Sequence, residues 1–126
     1  MRVIDLNKLT SDPLYVTTLV GGTYGSVDGT GAGPGGAKFA SPIELAVDGA
    51  GTLYVADYSN HAIRMVTSAG VVTTVVGNAS QVGVKLGDLL GGLNGPSGVA
   101  VDSTGKKLIV SDGLEHSILA VGTVIP

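Results

Sequence analysis

Short apolar runs, each closed by a turn signal, recur along this chain of 126 residues. Met1–Leu6 and Leu14–Val20 read as strands separated by the turn-rich stretch Asn7–Pro13. Gly21–Gly36 is a glycine-rich surface loop, and Ala37–Ala40 leads out of it. Four apolar runs then follow in close order. They are Ile43–Val47, Leu53–Ala56, His61–Val66 and Val71–Val76, and the hairpin signal Asp48-Gly49-Ala50-Gly51 joins the first two. Asp57–Asn60 and Ser68–Gly70 are the other turns. Four strands this close together predict an up-and-down antiparallel sheet. Asn78–Gly95 is a second long connection, in which Val84–Leu90 has room for a helical turn. Strands resume at Gly98–Val101, Lys107–Val110 and His116–Val121, and Gly122–Pro126 is a stub.

The pattern repeats. Pro42 and Pro96, Asp48 and Asp102, and Gly51 and Gly105 each lie 54 positions apart. Leu53 and Leu108, Asp57 and Asp112, His61 and His116, and Val66 and Val121 lie 55 apart, because the second hairpin carries one extra Lys. Upstream, V-T-T-L-V-G at Val16–Gly21 matches V-T-T-V-V-G at Val72–Gly77. The common core of each unit is about 40 residues with four short strands, which is the signature of a propeller blade. One such sheet cannot bury both faces alone and packs against neighbours around a ring.

Composition agrees with short strands and tight turns. Glycine accounts for 21 residues, well above the usual share of about 7%. The apolar content of 44% is carried by Val, Leu, Ile and Ala rather than by aromatic side chains. The net charge is −3 and only Lys106 and Lys107 adjoin, so no basic stripe exists for nucleic acid. With no cysteine there is no disulfide framework and no thiolate zinc site. No apolar run is long enough to span a membrane, and the first residues lack a signal-peptide core.

The motifs P-x-x-x-A-V-D, G-x-L-Y-V-A-D, N-H-x-I-R and V-T-T-V-V-G resemble those of the NHL-repeat family. The first unit keeps Pro42, Ala46, Val47, Asp48, Gly51, Leu53–Asp57, Asn60, His61, Ile63 and Arg64. The second departs at Glu115, where Asn is usual, and at Leu119, where a basic residue is usual. The loop Gly25–Phe39 is similar to loops of bacterial and algal members. The resemblance covers about residues 1–121 and implies an all-β fold of four-stranded antiparallel β-propeller blades. It also implies a division of the chain: 1–21 end a preceding blade as its strands c and d, with Arg2 in the place of Arg64. Residues 22–40 are then an inter-blade loop, 41–77 a complete blade, 78–95 a second loop and 96–126 a partial third blade. The result is a partial ring of just over two blades, with nine strands where two whole blades have eight. Either the chain belongs to a longer propeller, or identical chains complete a ring. The ninth strand favours the longer propeller, because Met1–Leu6 and the next chain's last strand would claim one slot.

Candidate chemistry is sparse. His61 and His116 hold equivalent places in consecutive units, and no third histidine exists to build a zinc site, so each is expected to order its turn. Asp48, Asp102, Asp57 and Asp112 recur with the repeat and read as turn residues that accept backbone N–H groups, rather than as acid–base or calcium ligands. Val27–Gly31 could take a cation weakly, but G-T-G-A-G-P-G lacks the G-K-[ST] of a phosphate loop. No nucleophile elbow is present. No catalytic, cofactor or metal residue is assigned, and no cofactor is expected. Asn78-Ala79-Ser80 is a glycosylation sequon and leans towards a secreted context.

The expected role is a non-catalytic scaffold or interaction module. Its partners would be further propeller blades from the same or identical chains, and a protein or glycan ligand met through the long loops. The alternative is part of a propeller lyase or hydrolase whose metal-binding and catalytic residues lie outside this chain. RNA binding, known for some NHL proteins, would need a basic surface that is lacking here.

Overall fold

A computed structural model of the chain describes residues 1–4, 16–80, 82–83 and 92–122. Those residues form ten strands and one 3-10 turn, in three antiparallel sheets. The strands are β1 (Arg2–Ile4), β2 (Val16–Thr18), β3 (Gly29–Thr30), β4 (Pro42–Val47), β5 (Leu53–Asp57), β6 (Ala62–Val66), β7 (Val71–Gly77), β8 (Pro96–Val101), β9 (Lys107–Asp112) and β10 (Ser117–Gly122). The turn Tyr58–Asn60 joins β5 to β6. The helical turn expected at Val84–Leu90 lies outside the described residues, as do Asn7–Pro13 and the end of the stub.

The largest sheet has the order β3-β7-β6-β5-β4, and a second has the order β10-β9-β8. They are propeller blades, and the repeat extends to their registers. Pro42, Leu45, Ala46 and Val47 face Asp57, Val55, Tyr54 and Leu53. In the second sheet Pro96, Val99, Ala100 and Val101 face Asp112, Val110, Ile109 and Leu108. Both ladders are irregular just after the proline, which has no N–H to donate. The small sheet follows the same rule. Arg2, Val3 and Ile4 pair with Thr18, Thr17 and Val16, as Arg64, Met65 and Val66 pair with Thr74, Thr73 and Val72.

Alternation along the strands builds two cores. Tyr54, Ala56 and Ile63 point to one side of the first blade and pack with Val99, Leu108 and Val110 of the second. Val55, Val66 and Val72 point to the other side and pack with Val20, Ala37 and Phe39. β5 is therefore covered on both faces. The edge strand β4 is not, and Ile43, Leu45 and Val47 are each more than half exposed.

One expectation needs correcting. Gly21–Gly36 is not loop throughout, because Gly29 and Thr30 add a fifth strand outside β7. The Asp28 carboxylate draws the segment in by accepting the Thr74 N–H at 3.1 Å and the Thr74 hydroxyl at 2.9 Å.

Glycine is required where β7 ends. Gly77 has φ +85°, and a Cβ there would collide with the His61 carbonyl oxygen. Replacing Gly77 with Ala should cost about 1–3 kcal/mol in urea unfolding. At Gly35, where the surroundings are open, the same change should stay within about 0.5 kcal/mol.

Candidate functional site

The first blade holds a fully buried arginine. Strand alternation sends Arg64 to the Val55–Val72 side of the sheet, where its guanidinium lies over the Phe39 ring, 4.9 Å from the centroid. All five N–H donors of a guanidinium find acceptors. Nε donates to Asp28 Oδ1 at 3.2 Å. Nη1 donates to Asp57 Oδ2 at 2.8 Å and to the Lys38 carbonyl at 2.9 Å. Nη2 donates to Asp28 Oδ1 at 2.9 Å and to the Val27 carbonyl at 3.0 Å. Two strands of the glycine-rich loop are thus fastened to the blade by one side chain.

Asp57 completes the cluster. Its carboxylate accepts the Ala40 N–H at 2.8 Å and the Asn60 amide at 2.7 Å, besides Arg64. Asn60 donates a second bond to the Gly25 carbonyl at 2.7 Å. Burial pushes the Asp57 carboxyl above its ordinary value, against the pull of Asn60, the Ala40 N–H and Arg64. This carboxylate holds the lead-in of its own blade, a longer reach than the local turn expected for it.

In the second unit Asp112 does the same with less. It accepts the Asn94 N–H at 2.6 Å and the Glu115 N–H at 3.3 Å. Leu119 stands in the place of Arg64 and packs against the core between the blades.

The hairpin aspartates do act locally. Asp48 accepts the N–H groups of Ala50 and Thr52, both at 2.9 Å. Asp102 accepts the Thr104 hydroxyl at 2.8 Å and the Lys106 N–H at 2.9 Å, and the Thr104 bond leads in holding its carboxyl below the ordinary value. The tips also join the blades, through Gly49 N–H to the Ser103 carbonyl at 2.9 Å and the Tyr54 hydroxyl to the Gly105 carbonyl at 3.3 Å.

The histidines turn the chain through their backbones. His61 and His116 have φ +52° and +54°. The His61 side chain reaches the next blade, where Nδ1 accepts the Gly95 N–H at 3.1 Å. The His61 bond thus joins two blades, whereas it was expected to order its own turn. The cation that Asp28 meets is Arg64 itself. Among the described residues, no group of three or more His, Asp or Glu gathers as a metal site.

Two clefts lie on this part of the molecule, and Arg64 lines the first. A polar one of about 240 Å³ is lined by Ser26, Asn60, Thr74 and Asn78 above Arg64. A more apolar one of about 290 Å³ lies between Met1 and Arg2 on one side and Ile43, Glu44 and Leu45 on the other. The sequence reading overlooked the hub. Its signal was available: a lone charge between Ile63 and Met65 in a buried strand must find partners.

Residues 39–64, from Phe39 through Arg64, match the family described as NHL repeat. The chain carries an NHL repeat. Comparison with curated protein sequences finds no relative. Solved structures resemble the whole chain more broadly. One is an auxiliary nutrient binding protein from Bacteroides thetaiotaomicron, with TM-score 0.77 and 25% identity, over 98% of this chain and 32% of that one. A second auxiliary nutrient binding protein, from Bacteroides ovatus, gives 0.64 and 26% over 85% and 28%. A third, from Bacteroides thetaiotaomicron, is named for a conjectured phosphatase activity and gives 0.72 and 24% over 85% and 26%. The chain therefore spans about a third or less of the length of these structures.

Replacing Arg64 with Met leaves Asp57 buried without its cation, and should cost about 3–5 kcal/mol at pH 7. In that variant the Asp57 pKa climbs further from 3.8. The folded state then keeps a proton that the unfolded chain releases. The Asp57 contribution to stability is greatest below 3.8 and falls as pH rises through the raised value. The deficit relative to the unaltered protein should therefore be smaller at about pH 4 than at pH 7, read by urea unfolding at both.

Proposed function

We propose that this NHL-repeat chain is a non-catalytic binding module, a run of blades within a larger propeller that presents its loops to a protein or glycan ligand. On this reading residues 1–21 close one blade, 41–77 form a complete blade, 96–126 begin a third, and 22–40 and 78–95 are the loops between them. The observation that carries it is the buried Arg64, which spends four donors on positioning the 22–40 loop and the fifth on Asp57, and leaves none for chemistry. A guanidinium used this way is a fixture for a surface. The polar cleft beside it offers hydroxyl and amide groups from Ser26, Thr74 and Asn78, the donor and acceptor set that suits sugar hydroxyls. Two structural neighbours named for nutrient binding agree with a binding role. The enzymatic alternative has behind it only a likeness of fold.

Calorimetric titration with soluble oligosaccharides from starch, xylan and mannan tests the reading. At least one should bind, and Ser26→Ala or Asn78→Ala should weaken it several-fold, about 1 kcal/mol for a lost hydrogen bond. No binding to any of the three, or binding unaffected by both changes, would count against the cleft. Bond cleavage of a bound sugar would favour the enzymatic alternative.

A further inference from the structure

Tyr24 is 79% exposed, the highest value for a large apolar side chain among the described residues. Its backbone is nevertheless fixed on both sides. Phe39 N–H donates to the Thr23 carbonyl at 3.4 Å, and Gly25 N–H to the Phe39 carbonyl at 3.1 Å. The Gly25 carbonyl in turn accepts the Asn60 amide at 2.7 Å. The exposure belongs to the position. Val82 repeats the arrangement by bridging to Leu93, and Gly83 N–H donates to the Leu93 carbonyl at 3.1 Å. Val82 follows the complete first blade and is still 58% exposed. Tyr24 thus sets an aromatic ring in water on rigid backbone, at a place where the second loop has valine.

The polar cleft begins two residues further on. Ser26 lines it, and two residues of chain span at most about 7 Å. Asn60, which holds Gly25, lines it as well. The charges along this wall balance. Arg64 meets Asp28 and Asp57, and the Lys38 stem crosses Gly25, where a Cβ would come within 2.9 Å of Lys38 Cδ. Arg64 and Lys38 offset Asp28 and Asp57, so the wall exerts no net pull on a charged ligand.

We propose that Tyr24 is the stacking platform of this cleft, and that the ligand is a neutral, β-linked oligosaccharide of gluco- or xylo-configured rings. The inference rests on the binding-module reading given above and names the sugar for that site. In such a ring every free hydroxyl is equatorial. Both faces then present only C–H groups, which lie flat against the electron-rich face of an aromatic ring. The hydroxyls point outward around the rim, where the Ser26 hydroxyl and the Asn78 amide can meet those of the neighbouring ring. A mannose ring differs by one axial hydroxyl, which stands up from one face and obstructs stacking there.

Calorimetric titration with cello-, xylo- and manno-oligosaccharides of matched length tests this, with circular dichroism as the check on folding. The cello and xylo series should bind several-fold tighter than the manno series. Tyr24→Ala, at an exposed position, should fold as before and weaken their binding about tenfold. Tyr24→Phe keeps the ring and should restore most of the affinity. The chain has no tryptophan, so Tyr24→Trp adds a lone fluorescent reporter. Its emission should change over the sugar concentrations at which calorimetry reads binding. Undiminished binding by Tyr24→Ala would overturn the proposal, as would an equal loss with Tyr24→Phe. An emission indifferent to sugar, or a manno series that binds as tightly as the others, would overturn it too. In each of those cases, sugar binding that Ser26→Ala or Asn78→Ala weakens would leave the binding module standing. No binding in any series would overturn both.

Discussion

A charge buried in a sheet has to be answered, and in this molecule the answer fixes a loop. Arg64 is 1% exposed, and Asp57 beside it is fully buried. Desolvating both ions is costly, and their attraction offsets that cost only when the remaining donors and acceptors are filled. They are filled by the nearby Asn60 amide and, from farther away in the chain, by Asp28 and the backbone of Val27, Lys38 and Ala40. The loop therefore has its conformation dictated by the satisfaction of the ion pair. The core on that side of the blade, with Phe39 under the guanidinium, follows from it.

Repetition made most of the architecture legible. Pro42 and Pro96, or Asp57 and Asp112, announce equivalent places because the same backbone problem recurs in each blade. The strand limits followed from β-branched runs ended by glycine and aspartate. The hairpin role of Asp48 and Asp102 was also readable, since it depends on residues two to five positions away. Long-range features were harder to read. Asp28 meets Arg64 across 36 positions, and β3 is only two residues long and begins with Gly29, a poor strand former. Nothing near either residue in sequence signals the contact. The joints between blades were hidden for the same reason, as with His61 and Gly95.

The two units solve one structural problem at different levels of polarity. Asp57 has an amide and a guanidinium, whereas Asp112 makes do with backbone N–H groups. Both fasten the residue that enters strand a, at Ala40 and at Asn94. The element common to both blades is thus the carboxylate at the end of β5 or β9. The arginine is an addition made by the first blade.

Leu119 draws a boundary between what can vary and what cannot. Where the first blade needs a loop of one length and path to meet four of five donors, the second presents only a hydrocarbon side chain to its core. Among the described residues the guanidinium's acceptors are Val27, Asp28, Lys38 and Asp57, so changes between Val27 and Lys38 disturb its contacts. Sequence drift, and with it the acquisition of new ligands, should therefore concentrate on one side of the stack. The other side is held to its shape by the guanidinium's partners.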